Sequence, residues 1–154
     1  MDRLKNIGGL ALVALFLPLL LLYVAVFLIW EVLWDVILRV WFWRAHVARG
    51  RSILFVYSES PNWQVYVEEN ILPRIRGRAV VLNWSERRLW PTASPWEARF
   101  FHRYAGDREF NPMALVFCSR GQIKTVRFHQ AFLDFKHGKD AALKAAEAEL
   151  FGFL

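Results

Sequence analysis

The segment Ser60-Pro61-Asn62-Trp63 stands where an apolar run, Ile53 to Tyr57, gives way to a helical pattern. A strand that stops at a helix start exposes backbone N–H groups, which can hold an anion or a peptide. The same residues also suit a purely structural role, because serine is a good N-cap and proline a good first helical residue. Cys118 is the other candidate. As a thiolate it could act as a nucleophile or exchange with disulfides; as a buried thiol it is an inert small hydrophobe. It is the only cysteine, so it forms no internal disulfide, which agrees with a reducing compartment. His46, His102, His129 and His137 are scattered without metal-ligand spacing. Glu68 and Glu69 are neighbours on a helix and point in different directions. There is no phosphate loop or dinucleotide fingerprint. The residues therefore predict no catalytic centre, no metal and no cofactor.

The elements around these residues follow from periodicity. Ile53 to Tyr57 is a continuous apolar stretch of strand formers and reads as a central strand covered on both faces. Trp63, Val67 and Ile71 recur every four residues and give a helix one buried face, closed by Pro73 and Gly77. Ala79 to Leu82 is a second strand. Ser94, Pro95 and Glu97 form a capping box that opens a second helix, with Trp96, Phe100, Phe101 and Tyr104 inward and Gly106 at its end. Ala114 to Phe117 is a third strand, Arg120-Gly121-Gln122 a turn, and Ile123 to His129 a fourth, more polar edge strand. An alanine-rich helix runs from Asp140 to Phe151. The first and third strands are expected in the middle of the sheet. A strand–helix–strand crossover makes the first two strands parallel, and the short turn makes the last two an antiparallel hairpin.

The N-terminal third is a different material. The chain of 154 residues is 56% hydrophobic and carries eight Trp, and Leu10 to Trp30 contains no charge. At about 1.5 Å per helical residue such a run covers roughly 30 Å, the thickness of a bilayer core. A cleaved signal peptide would have a shorter apolar core and a small-residue cleavage site; here Glu31-Val32-Leu33-Trp34 follows instead. The reading is one transmembrane helix with Pro18 inside it. Helical spacing continues to Gly50. Glu31, Asp35 and Arg39 fall on one face of this extension, either as a wet stripe or as an acidic pair facing another subunit. Trp30, Trp34, Trp41 and Trp43 suit an interfacial aromatic belt. Arg3 and Lys5 flank the span on one side and Arg44, Arg49 and Arg51 on the other, which predicts a cytoplasmic C-terminal domain on the inner membrane. The domains expected are thus 1–50, anchor and juxtamembrane helix, and 51–154.

The order strand, helix, strand, helix, strand, strand, helix resembles the thioredoxin fold, over about 100 residues. Ser60-Pro61-Asn62-Trp63 falls where that family carries Cys-x-x-Cys, nearest to the Cys-Pro-x-Cys form of glutaredoxins. Asn111-Pro112-Met113 falls where it carries a cis-proline, and Ala114 to Phe128 looks like its closing hairpin. The resemblance implies an α/β domain, βαβαββα, with a four-stranded mixed sheet. It also implies a groove for a peptide or partner at Ser60, Pro61, Trp63 and Pro112. The departure matters more. Dithiol exchange needs one thiolate to attack and a second thiol to resolve, and here a hydroxyl and an indole stand in their places. With this topology Arg44, Arg49, Arg51, Arg74, Arg76, Arg78 and Arg120 gather at the end of the sheet nearest the anchor. Anionic headgroups attract such clusters; nucleic acid, the other polyanion, would have to compete with the membrane. Two functions are expected. One is a non-catalytic accessory subunit of a larger membrane complex, for which a bacterial respiratory or photosynthetic assembly is suited. The other is a membrane-tethered peptide-binding, chaperone or thiol-related module that uses the Ser60–Pro112 groove.

Overall fold

The computed structural model describes residues 2–106, 110–118 and 121–154, with side chains from Phe16 onward. The chain divides into two compact units, residues 1–37 and 38–154.

From Asp2 onward the first unit is helical, the bulk of a helix (α1) that runs Asp2–Ala45 with Pro18 inside it. Every residue from Phe16 to Trp30 is exposed. α1 is long and apolar enough to cross a membrane, and it is the one such helix among the described residues.

The second unit is built on a four-stranded mixed sheet of order β2-β1-β3-β4. β1 is Ile53–Tyr57, β2 Ala79–Asn83, β3 Met113–Phe117 and β4 Ile123–Arg127. β1 runs parallel to β2, from Ile53↔Ala79 to Tyr57↔Asn83. It runs antiparallel to β3, from Ile53↔Val116 to Val56↔Met113. β3 and β4 form the closing hairpin. The two most apolar strands are central and the polar β4 is an edge, as their composition predicts.

Alternate side chains of a strand face opposite sides, and both sides are covered. Ile53, Phe55, Ala114 and Val116 join Trp63, Val67, Ile71, Phe128, Phe132, Leu143 and Leu150 in one core. On the other side Leu54, Val56, Met113 and Leu115 are buried, as are Leu38, Phe42, Phe100 and Phe101. Phe42 stacks on Phe100, with ring centroids 4.1 Å apart, and lies 6.0 Å from Phe117. The last two turns of α1 therefore belong to this core. The compact unit starts at Leu38, whereas the sequence pattern begins the domain at Arg51. Trp41, which suits an interfacial belt by its type, stacks on Trp96 at 5.5 Å.

Local departures have local causes. The helix after β1 (α2) has three segments: Gln64–Tyr66, a π-helical Val67–Ile71 and Leu72–Ile75. Pro73 has no N–H, and its ring would collide with the carbonyl four residues back in a regular α-helix. A wider turn directly upstream lets the helix run past Pro73 instead of ending there. The helix Pro95–Tyr104 (α3) begins without a side-chain cap from Ser94. Glu97 is engaged elsewhere: its Oε1 shares a 3.0 Å hydrogen bond with Nε2 of His46. β4 stops at Arg127, and an additional helix, His129–Lys136 (α4), precedes the C-terminal helix Ala141–Phe151 (α5). Gly106 closes α3 at φ +79°, where a Cβ would come within 3.3 Å of Arg127 Nη2, the group that donates to the Ala105 carbonyl.

Candidate functional site

One end of the sheet gathers the residues singled out for chemistry. β1 and β2 finish there and β3 begins there. The pairing Val56↔Met113 sets Pro112 across from Tyr57, so the Ser58–Ser60 loop and Pro112 share this edge. The Asn111–Pro112 peptide bond is cis. The Pro112 carbonyl accepts from Phe128 N–H at 2.9 Å, tying the loop to the end of β4.

Ser60 does not cap the helix as its residue type predicts: α2 begins at Gln64 with Trp63 at its N-cap and no side-chain cap, and Ser60 opens the turn before it. Its carbonyl accepts from Trp63 N–H (3.1 Å) and Gln64 N–H (2.8 Å). Its hydroxyl accepts from Asn62 N–H at 3.4 Å. These contacts hold the hydroxyl and carbonyl in the turn that leads into the helix. Pro61 and Asn62 are exposed, and Lys136 Nζ donates to Asn62 Oδ1 at 3.2 Å.

Trp63 has turned inward. It is 9% exposed, and its indole N–H donates to Ser58, to the carbonyl at 3.1 Å and the hydroxyl at 3.3 Å. Its ring meets His129 edge-on at 5.6 Å and Phe132 at 6.2 Å. An indole so placed fills the core and satisfies its one donor. Phe110, 51% exposed, stacks on the far side of this cluster against His129 at 4.9 Å. Next to it, Asn111 Oδ1 is buried and has no hydrogen-bond partner among the described residues. Glu59 and Asn83 join the loops after β1 and β2 through a 2.7 Å hydrogen bond. Tyr57, at this rim, has its pKa raised, first by burial and then by the carboxylate of Glu68, to which its hydroxyl donates at 3.3 Å.

Cys118 follows β3 at the opposite end of the sheet, half-buried, with its thiol 3.7 Å from the Val116 carbonyl. At that end lie the basic residues. Arg44, Arg49, Arg51, Arg74, Arg76 and Arg78 are all exposed. The register places Arg78 beside the start of β1, where its carbonyl accepts from Ile53 N–H. Arg74 also lies over the Phe151 ring, 3.6 Å from its centroid. Arg120 lies outside the described residues.

The polar stripe of α1 divides between the two units. Arg39 belongs to the second: its Nη1 donates to the Gly121 carbonyl at 2.7 Å, and its guanidinium lies 5.4 Å from the Tyr104 ring centre. Glu31 and Asp35 belong to the first.

Three features lie beyond what the sequence pattern shows: the His46–Glu97 pair, the Phe110–His129 stack, and a recess of about 350 Å3 walled by Trp84, Trp90, Pro91 and Pro95 with Arg87 and Arg99 on its lining. The Trp and Pro density of residues 84–96 is the one sequence signal for the last. The first two join residues remote in the chain, and periodicity carries no trace of them. No family model, curated protein or solved structure matches this chain.

Proposed function

We propose that this chain is a non-catalytic, membrane-anchored accessory subunit. In this reading its span and a redox-inactive, thioredoxin-like domain dock on a larger membrane protein complex, with the domain on the cytoplasmic side of the inner membrane. Trp63 carries the proposal. In a thioredoxin-like reading of the strand order, Ser60 and Trp63 hold the dithiol positions, and Trp63 is a buried core residue whose indole donor is already satisfied. A serine hydroxyl cannot exchange with a disulfide, and Cys118 sits at the other end of the sheet from both. The cis bond before β3 is in keeping with the same reading. The exposed basic residues at the Cys118 end suit anionic headgroups.

The test is gentle solubilisation of native membranes, then sizing and identification of what travels with the chain. A stable complex of fixed stoichiometry is the expected result. A free monomer, or one that reduces or binds thiol peptides, overturns it.

A second reading has its own support. The exposed Phe110 ring and Asn111 directly precede Pro112 in the loop before β3. An exposed aromatic ring at the head of that loop suits contact with an extended peptide. Under this reading, Phe110→Ala weakens peptide capture and leaves the sizing profile of the complex unchanged.

A further inference from the structure

The second unit has an open apolar cavity of about 410 Å3 at the Cys118 end of the sheet, within the size range of small-molecule sites. Val40, Trp43 and Val47 wall one side, Phe117 and Cys118 the other, and Arg39 closes it with the Gly121 turn. Among the described residues Arg39 is the only charged one in the lining. We propose that this cavity holds one acyl chain of an anionic glycerophospholipid drawn from the surrounding bilayer. The inference rests on the membrane-anchored reading above.

Three observations choose this occupant. First, one wall lies on the same helix as the apolar run: Val40 and Trp43 follow it on α1, past Glu31 and Asp35, and are 50% and 51% exposed. Apolar surface of this kind beside a cavity calls for an apolar cover. Second, exposed arginines stand close in the chain to the lining residues. Arg44 is four residues from Val40 and so shares its helix face, and Arg49 and Arg51 follow, all exposed. A chain in the cavity would leave its phosphate among guanidinium groups, which pair with phosphate in a forked geometry. Third, the feature is a compact concavity lined by few residues, not an extended groove. A partner helix would pack its ridges along an extended groove; a flexible hydrocarbon chain fills an irregular recess and gains with each methylene buried.

Cys118 lines the cavity and is the only thiol in the chain, so it serves as the reporter. The full chain in mild detergent is titrated with dioleoylphosphatidylglycerol or dioleoylphosphatidylcholine, and bound lipid is counted by native mass spectrometry. In parallel, the rate of Cys118 alkylation by N-ethylmaleimide is followed. One phosphatidylglycerol per chain should be retained, with Cys118 alkylation slowed several-fold. Val40→Trp, at an exposed position that tolerates bulk, should abolish both effects. Arg44→Gln should lower the preference for phosphatidylglycerol over phosphatidylcholine about fivefold. Absence of retained lipid, or retention and protection unchanged in Val40→Trp, overturns the proposal. So does a photoactivatable crosslinker on Cys118 that captures a polypeptide instead of lipid in native membranes. Flotation of the full chain with vesicles separates the two levels. A chain that floats but retains no lipid loses only the cavity assignment, whereas a chain that fails to float loses the anchored reading and this one together.

Discussion

Trp63 decides what the distal end of the sheet can do. It is legible as a core residue because Trp63, Val67 and Ile71 recur at helical spacing, and it is indeed buried. Its neighbour Ser60 makes only local turn contacts. The two should therefore separate in stability. Trp63→Ala should cost about 3–5 kcal/mol and Ser60→Ala, which removes one local hydrogen bond, about 1 kcal/mol, read by equilibrium unfolding of the full chain in micelles. Equal costs would remove Trp63 from the core role argued here. Tyr66 offers a second test at this scale. Burial first, then the hydrogen bond its hydroxyl donates to Glu147 (2.8 Å) and that carboxylate's charge, raise its pKa to about 12, with Arg74 opposing. The folded state thus favours the neutral phenol. This contribution to stability is whole below the ordinary tyrosine value near 10 and fades as pH rises from there through about 12. The stability difference between wild type and Tyr66→Phe should shrink over that window; a difference independent of pH would mean Glu147 does not hold the phenol. Glu97 shows where residue-level reading stops: it stands at capping-box spacing from Ser94, but its carboxylate pairs with a histidine 51 positions away.

Elements with a strong local signal form as their patterns predict. The four strands, their mixed pairing and the central place of β1 and β3 follow from apolar content and connection length. The departures are short or compound. The eight-residue α4 spans too few turns for its period to stand out from the end of β4. Pro73 marks a helix end in the sequence, and the π-helical segment that accommodates it is visible only once the helix packs. The largest revision concerns α1. Leu38 and Phe42 sit in a run of apolar and aromatic residues that suits a membrane interface equally well, so nothing local marks them as core. Phe42 is fully buried between Phe100 and Phe117. Phe42→Ala should cost about 3–5 kcal/mol, measured as a loss of thermal stability of the second unit by circular dichroism in micelles. A change below about 1 kcal/mol would place the last turns of α1 outside the core.

At the scale of the whole molecule, the governing division is between an exposed apolar helix and a sheet domain buried on both faces. The anchored reading predicts a steep response to charge. Leu20→Arg with Val24→Arg puts two guanidinium groups on one face near the middle of the apolar run, at a combined insertion cost of roughly 5–7 kcal/mol. Wild-type chain should float with membranes through a density gradient after alkaline extraction, and the double variant should not. Equal flotation would show that the run is not the span.

The amino-acid order alone determined the features that depend on neighbours along the chain: the apolar run, the alternation of strand and helix, the edge character of β4 and the turn at Ser60 that leads into a helix. Each is a local pattern of hydrophobicity or turn chemistry, and such patterns survive in one dimension. Three-dimensional packing was needed to decide where α1 stops being an apolar rod and becomes a core helix, which partner Glu97 takes, and that Val40, Trp43, Phe117 and Cys118 enclose one cavity. Those outcomes depend on contacts between residues tens of positions apart. Many pairings would satisfy the same local pattern, and packing density and hydrogen-bond satisfaction select among them.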